Sequence, residues 1–322
     1  MKITVVANYF GTPPDYFQLW LDSASFNQDV SWLFFSDFEK ARFCWPDNVR
    51  VIRSTPAEMR QRFIDKLGFP VYYRTGWDFC YYKTVLGKCF EDELAGADYW
   101  AWTDCDLIYG DLRLATQYCG TADKIMPKGH FSLLRNIPEF NDAIARHPLT
   151  QRALQEYASP ADNMNFDEEC FPKHIIPEIG MKTFDDVPYA NFYARYGHFN
   201  LAETLSLCEA LDVPENSRSV TPIPCVFTWA NGDLTGWFAM SSQEVKTVPL
   251  AYVHFFKRQM RPESARLGRG RAYLIVPNEI REYDGHDLSW DEICRLDRFR
   301  IHWSYFRKRL NLKTFRRKLF GK

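Results

Sequence analysis

The chain has 322 residues, of which 46% are hydrophobic, 16% aromatic and 25% charged. That composition excludes a disordered or fibrous chain, and the length admits one large α/β domain or two smaller ones. A net charge of −1 excludes a general attraction to nucleic acid, although the C-terminal segment is strongly basic.

Ile3–Tyr9 is a β-branched run closed by a turn signal at Gly11, Pro13 and Pro14. It reads as a first strand rather than a signal peptide. Tyr16–Phe26 has helical spacing, Val30–Phe35 and Asn48–Arg53 read as strands, and Ala57–Leu67 reads as a helix ending at Gly68. This alternation predicts an α/β fold with a parallel sheet covered by helices. A helix is expected over Asp78–Leu94, then a buried strand over Tyr99–Trp102. Lys124–Met126 and His130–Leu134 read as strands, and Glu139–Tyr157 as a helix interrupted at Pro148. Residues 158–200 are rich in Pro, Asn and Asp and are expected to form long loops around a site. Pro222–Trp229 and Leu234–Met240 flank Asn231-Gly232-Asp233 as a hairpin, and Pro249–Phe256 is expected to be the last strand.

Nine cysteines are scattered along the chain, and none pairs as C-x-x-C. The pattern argues against a disulfide framework or structural zinc and for reduced thiols in a cytosol. No run of about 18 apolar residues occurs, so no membrane-spanning helix is expected.

Asp104-Cys105-Asp106 stands just past an aromatic strand. Two carboxylates one residue apart at a strand end can hold a hard divalent cation and a ribose hydroxyl together, as a nucleotide diphosphate requires. In open α/β sheets, ligands bind beyond the carboxyl ends of strands. The bland alternative is a solvated Asp-rich turn. His254, in an apolar strand, reads first as a core histidine. Lys257 and Arg258 follow it, and Arg266, Arg269 and Arg271 surround Gly268 and Gly270. That cluster suits either a phosphate-closing loop or a solvated basic turn.

The segment from Trp100 to Leu112, WAWTDCDLIYGDL, resembles the motif W-G-x-x-D-x-D-x-x-x-G-D of a family of bacterial GT-A glycosyltransferases encoded with capsule and O-antigen genes. Tyr82-Lys83 with Gly87 and Phe90 resembles that family's K-P-x-x-G-x-x-F helix. Residues 129–136 resemble its G-H-F-x-x-x-R-N strand, and residues 253–260 its H-F-x-K-R-x-M strand. Ala101, Tyr81 and Thr84 depart from the pattern.

The resemblance implies a GT-A-type, Rossmann-like mixed sheet flanked by helices over residues 1–285. It implies metal-dependent transfer of a sugar, with galactose the family-level expectation, from a UDP-linked donor to a bacterial surface glycan. Mn2+ or Mg2+ would sit on Asp104, Asp106 and His254. Asn8, Tyr9, Lys83, Asp104, His130, Arg135, Asn136, Lys257 and Arg258 would contact the nucleotide sugar. Inverting transfer needs a carboxylate to take the acceptor proton, and Asp167, Glu168 and Glu169 are the candidates, Glu168 first. The same triplet also suits a plain helix start. Two rivals stay open: a sugar nucleotidyltransferase, and a non-catalytic glycan- or nucleotide-binding protein on the same fold.

From Trp290 onward, Ile293, Leu296, Phe299, Trp303, Phe306 and Leu310 recur at helical spacing opposite a basic face. Residues 286–322 are therefore expected to form an amphipathic helical extension whose first half packs on the domain. Its basic, aromatic end suits an anionic leaflet and a lipid-linked or oligosaccharide acceptor there, with nucleic acid not expected. The location expected is cytoplasmic, peripheral at the inner face of the cell membrane.

Overall fold

The computed structural model describes residues 1–73, 76–126, 129–156, 166–191, 204–213, 223–255, 260–264 and 272–297. Strands β1 (Ile3–Tyr9), β2 (Val30–Ser36), β3 (Val49–Arg53) and β4 (Tyr99–Thr103) run parallel in the order β3-β2-β1-β4. After β5 (Leu107–Tyr109), the strands β6 (Lys124–Ile125), β7 (Phe131–Arg135) and β8 (Thr183–Phe184) extend this sheet beyond β4. β7 runs antiparallel to both β4 and β6, which makes the sheet mixed.

Alternation along the strands feeds two cores. Val5, Ala7 and Ala101 pack on one side with Trp20, Trp32 and Phe34. Val6, Trp100 and Trp102 pack on the other with Phe63, Tyr82 and Phe90. Helix α1 (Phe17–Ser25) covers the first face, and α2 (Pro56–Leu67) contributes to the second. α2 begins at a capping box, in which Thr55 Oγ1 accepts from Glu58 N and Glu58 accepts from Thr55 N. Such a cap contributes about 1 kcal/mol. The helix ends at Gly68 in the left-handed region, as its sequence predicts.

Strands β9 (Ala190–Asn191), β10 (Cys225–Ala230), β11 (Asp233–Ala239), β12 (Val245–Pro249), β13 (Tyr252–His254), β14 (Arg261–Pro262), β15 (Tyr273–Val276) and β16 (Glu279–Glu282) complete the described strands. Six of them form a second sheet, β12-β11-β10-β15-β16-β14, and β5-β13-β9 form a small third one. The β10–β11 hairpin turns through Asn231 and Gly232, both at positive φ, as an Asn-Gly pair predicts.

Three expectations change. The stretch Asp78–Leu94 is mostly a 3-10 helix, Gly76–Val85, followed by one α-turn, Leu86–Cys89. The loop-rich region contains a widened π-helical segment, Phe166–Ile175, with Pro172 inside it, where the missing N–H breaks the α pattern. Pro249–Phe256 is not one strand. Leu250 N donates to Leu234 O and Ala251 N to Pro188 O, so the chain crosses from one sheet to another, and β14 to β16 follow.

The helix Trp290–Leu296, capped by Ser289 and Glu292, buries Ile293 against the core that holds Val226 and Leu274. Asp297 Oδ2 accepts from Cys225 N at 3.1 Å. The first part of the expected extension therefore packs on the second sheet, and its remainder, 298–322, lies outside the described residues. All nine cysteines are free thiols. Among the described residues, no helix is long and apolar enough to cross a membrane.

Candidate metal and nucleotide-sugar site

The site forms where β4 ends. Asp104 N donates to His130 O at 2.9 Å, and Trp20 Nε1 donates to Asp104 O at 3.2 Å, so both backbone groups of Asp104 are pinned. The chain turns through Cys105, whose thiol reaches Asn8 O at 3.5 Å at the end of β1. It then enters β5, which pairs antiparallel with β13 in the register Leu107↔His254. Phe255 N donates to Asp106 O at 2.8 Å and extends the pairing by one residue.

That register sets His254 Nε2 3.2 Å from Asp106 Oδ1. One ligand atom each from Asp104, Asp106 and His254 lies within 4.8 Å of the others, a group able to hold a metal ion. His254 Nδ1 lies 3.0 Å from Asn191 Oδ1 and donates to it, which directs the Nε2 lone pair toward Asp106 in the neutral ring. Nε2 and Asp106 Oδ1 then stand 3.2 Å apart and face the same space, as two ligands of one cation would. Two carboxylates and an imidazole suit Mn2+, with Mg2+ the harder alternative, so the donor set fits the expected ion. The His130 ring stacks on His254 at 4.2 Å, and Tyr252 Oη lies 2.8 Å from His130 Nδ1.

Lys83, on the 3-10 helix, is only 3% exposed. Its Nζ stands 2.7 Å from Asp104 Oδ1, 3.6 Å from Asp167 Oδ2 and 2.7 Å from Gly129 O. Burial opposes its charge, but Asp104, Cys80 and Asp167 outweigh burial and push its pKa above the usual lysine value. Desolvation raises the Asp104 carboxyl against the pull of Lys83. Burial and the charge of Asp106 raise the Tyr16 phenol well above its ordinary value. The Tyr9 phenol is raised by burial first, with Cys105 and Asp106 adding to it.

The acidic triplet divides. Asp167 faces Lys83, and a Cβ on Gly129 would stand 2.1 Å from Asp167 Oδ2 and 2.9 Å from Glu168 Cγ. A side chain at position 129 would force the Asp167 carboxylate to move. Glu169 pairs at the surface with Lys173.

Arg135 and Asn136, expected in the sugar pocket, stand elsewhere. In the β4–β7 ladder Thr103 pairs with Phe131 but Tyr99 pairs with Arg135, four residues and about 13 Å along the strand. Arg135 pairs with Asp123 at 3.1 Å, and Asn136 Nδ2 donates to Leu94 O and Ala97 O. Both brace loops at the opposite end of β4 and β7. Gly110-Asp111-Leu112 is likewise structural. A Cβ on Gly110 would stand 2.2 Å from Leu250 O, and Asn27 bonds both Gly110 O and Leu112 N. Lys257, Arg258 and the basic residues from 266 to 271 lie outside the described residues. Sequence reasoning missed Asn191 and Tyr252, because only the pairing of short strands brings them to the triad.

An α/β fold with a mixed sheet flanked by helices, and a carboxylate–imidazole group at the carboxyl end of its central strand, define the class. The chain belongs to DUF6625, a family of unknown function, whose model matches residues 5–284. No curated protein matches it. Among solved structures, the apo-form glycosyltransferase GlyE of Streptococcus pneumoniae TIGR4 aligns at 13% identity over 58% of this chain, with a TM-score of 0.33. The match spans 46% of GlyE, less than half its length. The galactosyltransferase LgtC, in complex with donor and acceptor sugar analogs, aligns at 14% identity over 59% of this chain and 75% of LgtC, with a TM-score of 0.32.

Proposed function

We propose that the chain is a metal-dependent glycosyltransferase of the GT-A type. It moves a sugar from a UDP-linked donor to a growing bacterial surface glycan, with inversion at the transferred carbon. The observation that carries this reading is the convergence of Asp104, Asp106 and His254 beyond the carboxyl end of β4. The motif around Asp104 and Asp106 supports it.

Asp104, Asp106 and His254 would hold Mn2+ or Mg2+, and that ion would supply positive charge to neutralise the diphosphate of the donor. Asn8 and Tyr9, at the end of β1, and His130, beside the triad, contact the donor. Lys257 and Arg258 are assigned to the diphosphate on their charge and position in the sequence. Asp167 is the base in preference to Glu168, because it shares Lys83 with Asp104. The acceptor oxygen bonds to the sugar C1, the bond from C1 to the phosphate oxygen breaks, and the acceptor proton passes to Asp167.

A screen of nucleotide sugars with Mn2+, read as released UDP, tests the reading, with UDP-galactose first. Release that EDTA stops is the expected result. No turnover and no binding of any nucleotide sugar would sink it and favour the non-catalytic rival. Pyrophosphate release from a nucleoside triphosphate and a sugar 1-phosphate would favour a nucleotidyltransferase, although Asn8 to Thr12 lack the Gly-rich basic loop usual there.

The basic end of the chain is proposed to meet an anionic, cytoplasm-facing membrane surface that presents a lipid-linked acceptor. Each cation there contributes about 1 kcal/mol, screened by salt. Truncation after Asn311 should strongly weaken low-salt sedimentation with anionic vesicles and spare transfer to a short soluble acceptor. Equal sedimentation of the two forms would remove the membrane claim alone.

A further inference from the structure

The geometry points to Asn191 as the positioning residue that selects the metal-binding tautomer of His254, an inference that rests on the metal reading above. Asn191 lies on β9, which pairs in parallel with β13 in the register His254↔Asn191. It is 3% exposed, and its Oδ1 lies 3.0 Å from His254 Nδ1. A carboxamide oxygen only accepts, so the proton of the neutral ring stands on Nδ1 and the lone pair on Nε2.

The other tautomer has a specific consequence here. With the proton on Nε2, the ring would donate to Asp106 Oδ1, which is 3.2 Å away, and that bond would occupy two of the three ligand atoms a cation needs. Asn191 disfavours that closed arrangement by giving the Nδ1 proton a buried acceptor. The His130 ring against the face of His254 restrains its tilt, so the hydrogen bond from Nδ1 also fixes where Nε2 points. Outer partners of this kind orient metal-binding histidines generally.

The test uses the full chain with UDP and Mn2+, and reads free Mn2+ by electron paramagnetic resonance. Asn191→Leu removes the acceptor and should weaken Mn2+ binding about 10–100-fold in a chain that still shows a cooperative melt. Asn191→Asp keeps an acceptor in the same place and should bind within a few-fold of the wild type. Without metal, 15N NMR of labelled histidine should show the Nδ1–H form of His254 in the wild type, and a shift toward Nε2–H in Asn191→Leu. Mn2+ binding that is lost in His254→Ala but kept in a folded Asn191→Leu overturns the inference alone. An Nε2–H form in the wild type also overturns it, and this readout decides the matter if Asn191→Leu does not fold. Absence of Mn2+ binding by the wild type overturns the metal reading and this inference together.

Discussion

Asp106 and His254 lie far apart in sequence, yet their ligand atoms stand 3.2 Å apart because β5 and β13 pair with Leu107 opposite His254. The small three-stranded sheet therefore brings Asp106 and His254 together, and Asp104 stands one residue past the end of β4.

The two aspartates should separate in stability, although both should be needed for turnover. The Asp106 side chain is 27% exposed, and its Oδ1 stands 3.2 Å from His254 Nε2. Asp106→Ala should abolish Mn2+-dependent UDP release and change stability by less than about 0.5 kcal/mol. Asp104→Ala strips buried Lys83 of its 2.7 Å partner and leaves Asp167 at 3.6 Å. Breaking that half-buried pair should cost about 1–3 kcal/mol, less than a fully buried pair. Thermal melts of both variants check this, and equal stability would remove the structural part of the Lys83 assignment.

Gly129→Ala tests Asp167. The added Cβ would stand 2.1 Å from Asp167 Oδ2, so the carboxylate must move, while its three nearest atoms belong to Asp167 and Glu168 and none to the triad. Turnover should fall about 100-fold or more, the range of a lost general base, with Mn2+ affinity retained. Unchanged turnover would take Asp167 out of the base role.

The central elements were legible because their residues carry local signals. The β-branched run of β1, the capping box and Gly68 of α2, and the Asn-Gly turn each specify structure within a few positions. Asp104 and Asp106 were legible as adjacent carboxylates. Their partners were not, since a two-residue strand such as β9 has no periodicity to read. The R-N pair of the β7 motif falls at the far end of that strand from Asp104 for a related reason. A motif reports that residues occur together, and only register decides which end of a strand they occupy.

Lys124 yields a pH prediction. Its side chain is 1% exposed, with Nζ donating to Met126 O and standing 3.6 Å from Asp185. Burial lowers its pKa below the usual lysine value, with Asp185 opposing only in part. The folded state thus binds this proton less readily than the unfolded chain, so the penalty is full below the folded pKa and fades as pH rises toward the unfolded one. Lys124→Met should therefore raise the melting temperature at pH 7, with the gain shrinking by pH 10. Ser132 Oγ still bonds Met126 O, so no carbonyl is stranded. Melts across that range check the sign, and a lower melting temperature at pH 7 would show that the Asp185 contact outweighs burial.

Gly110 and Asp111 provide the sharpest separation of motif from mechanism. Both belong to the segment that most resembles a glycosyltransferase motif, yet Gly110 packs on Leu250 and Asp111 pairs with Arg113. The nearest heavy atom to a Cβ on Gly110 is a backbone oxygen, Leu250 O at 2.2 Å, with Leu234 Cβ at 2.7 Å. No side-chain rotation relieves that clash, so Gly110→Ala must shift the crossing between β12 and β13. It should cost at least about 1–3 kcal/mol, as overpacking does, and β13 carries His254, so Mn2+ affinity should fall with stability. Asp111 pairs with Arg113, whose side chain is 78% exposed. Asp111→Ala should then keep turnover and Mn2+ affinity near wild type and lose less than about 1 kcal/mol. Turnover lost in a folded, Mn2+-binding Asp111→Ala would show that the carboxylate acts on substrate, and would return the whole G-D-L segment to the site.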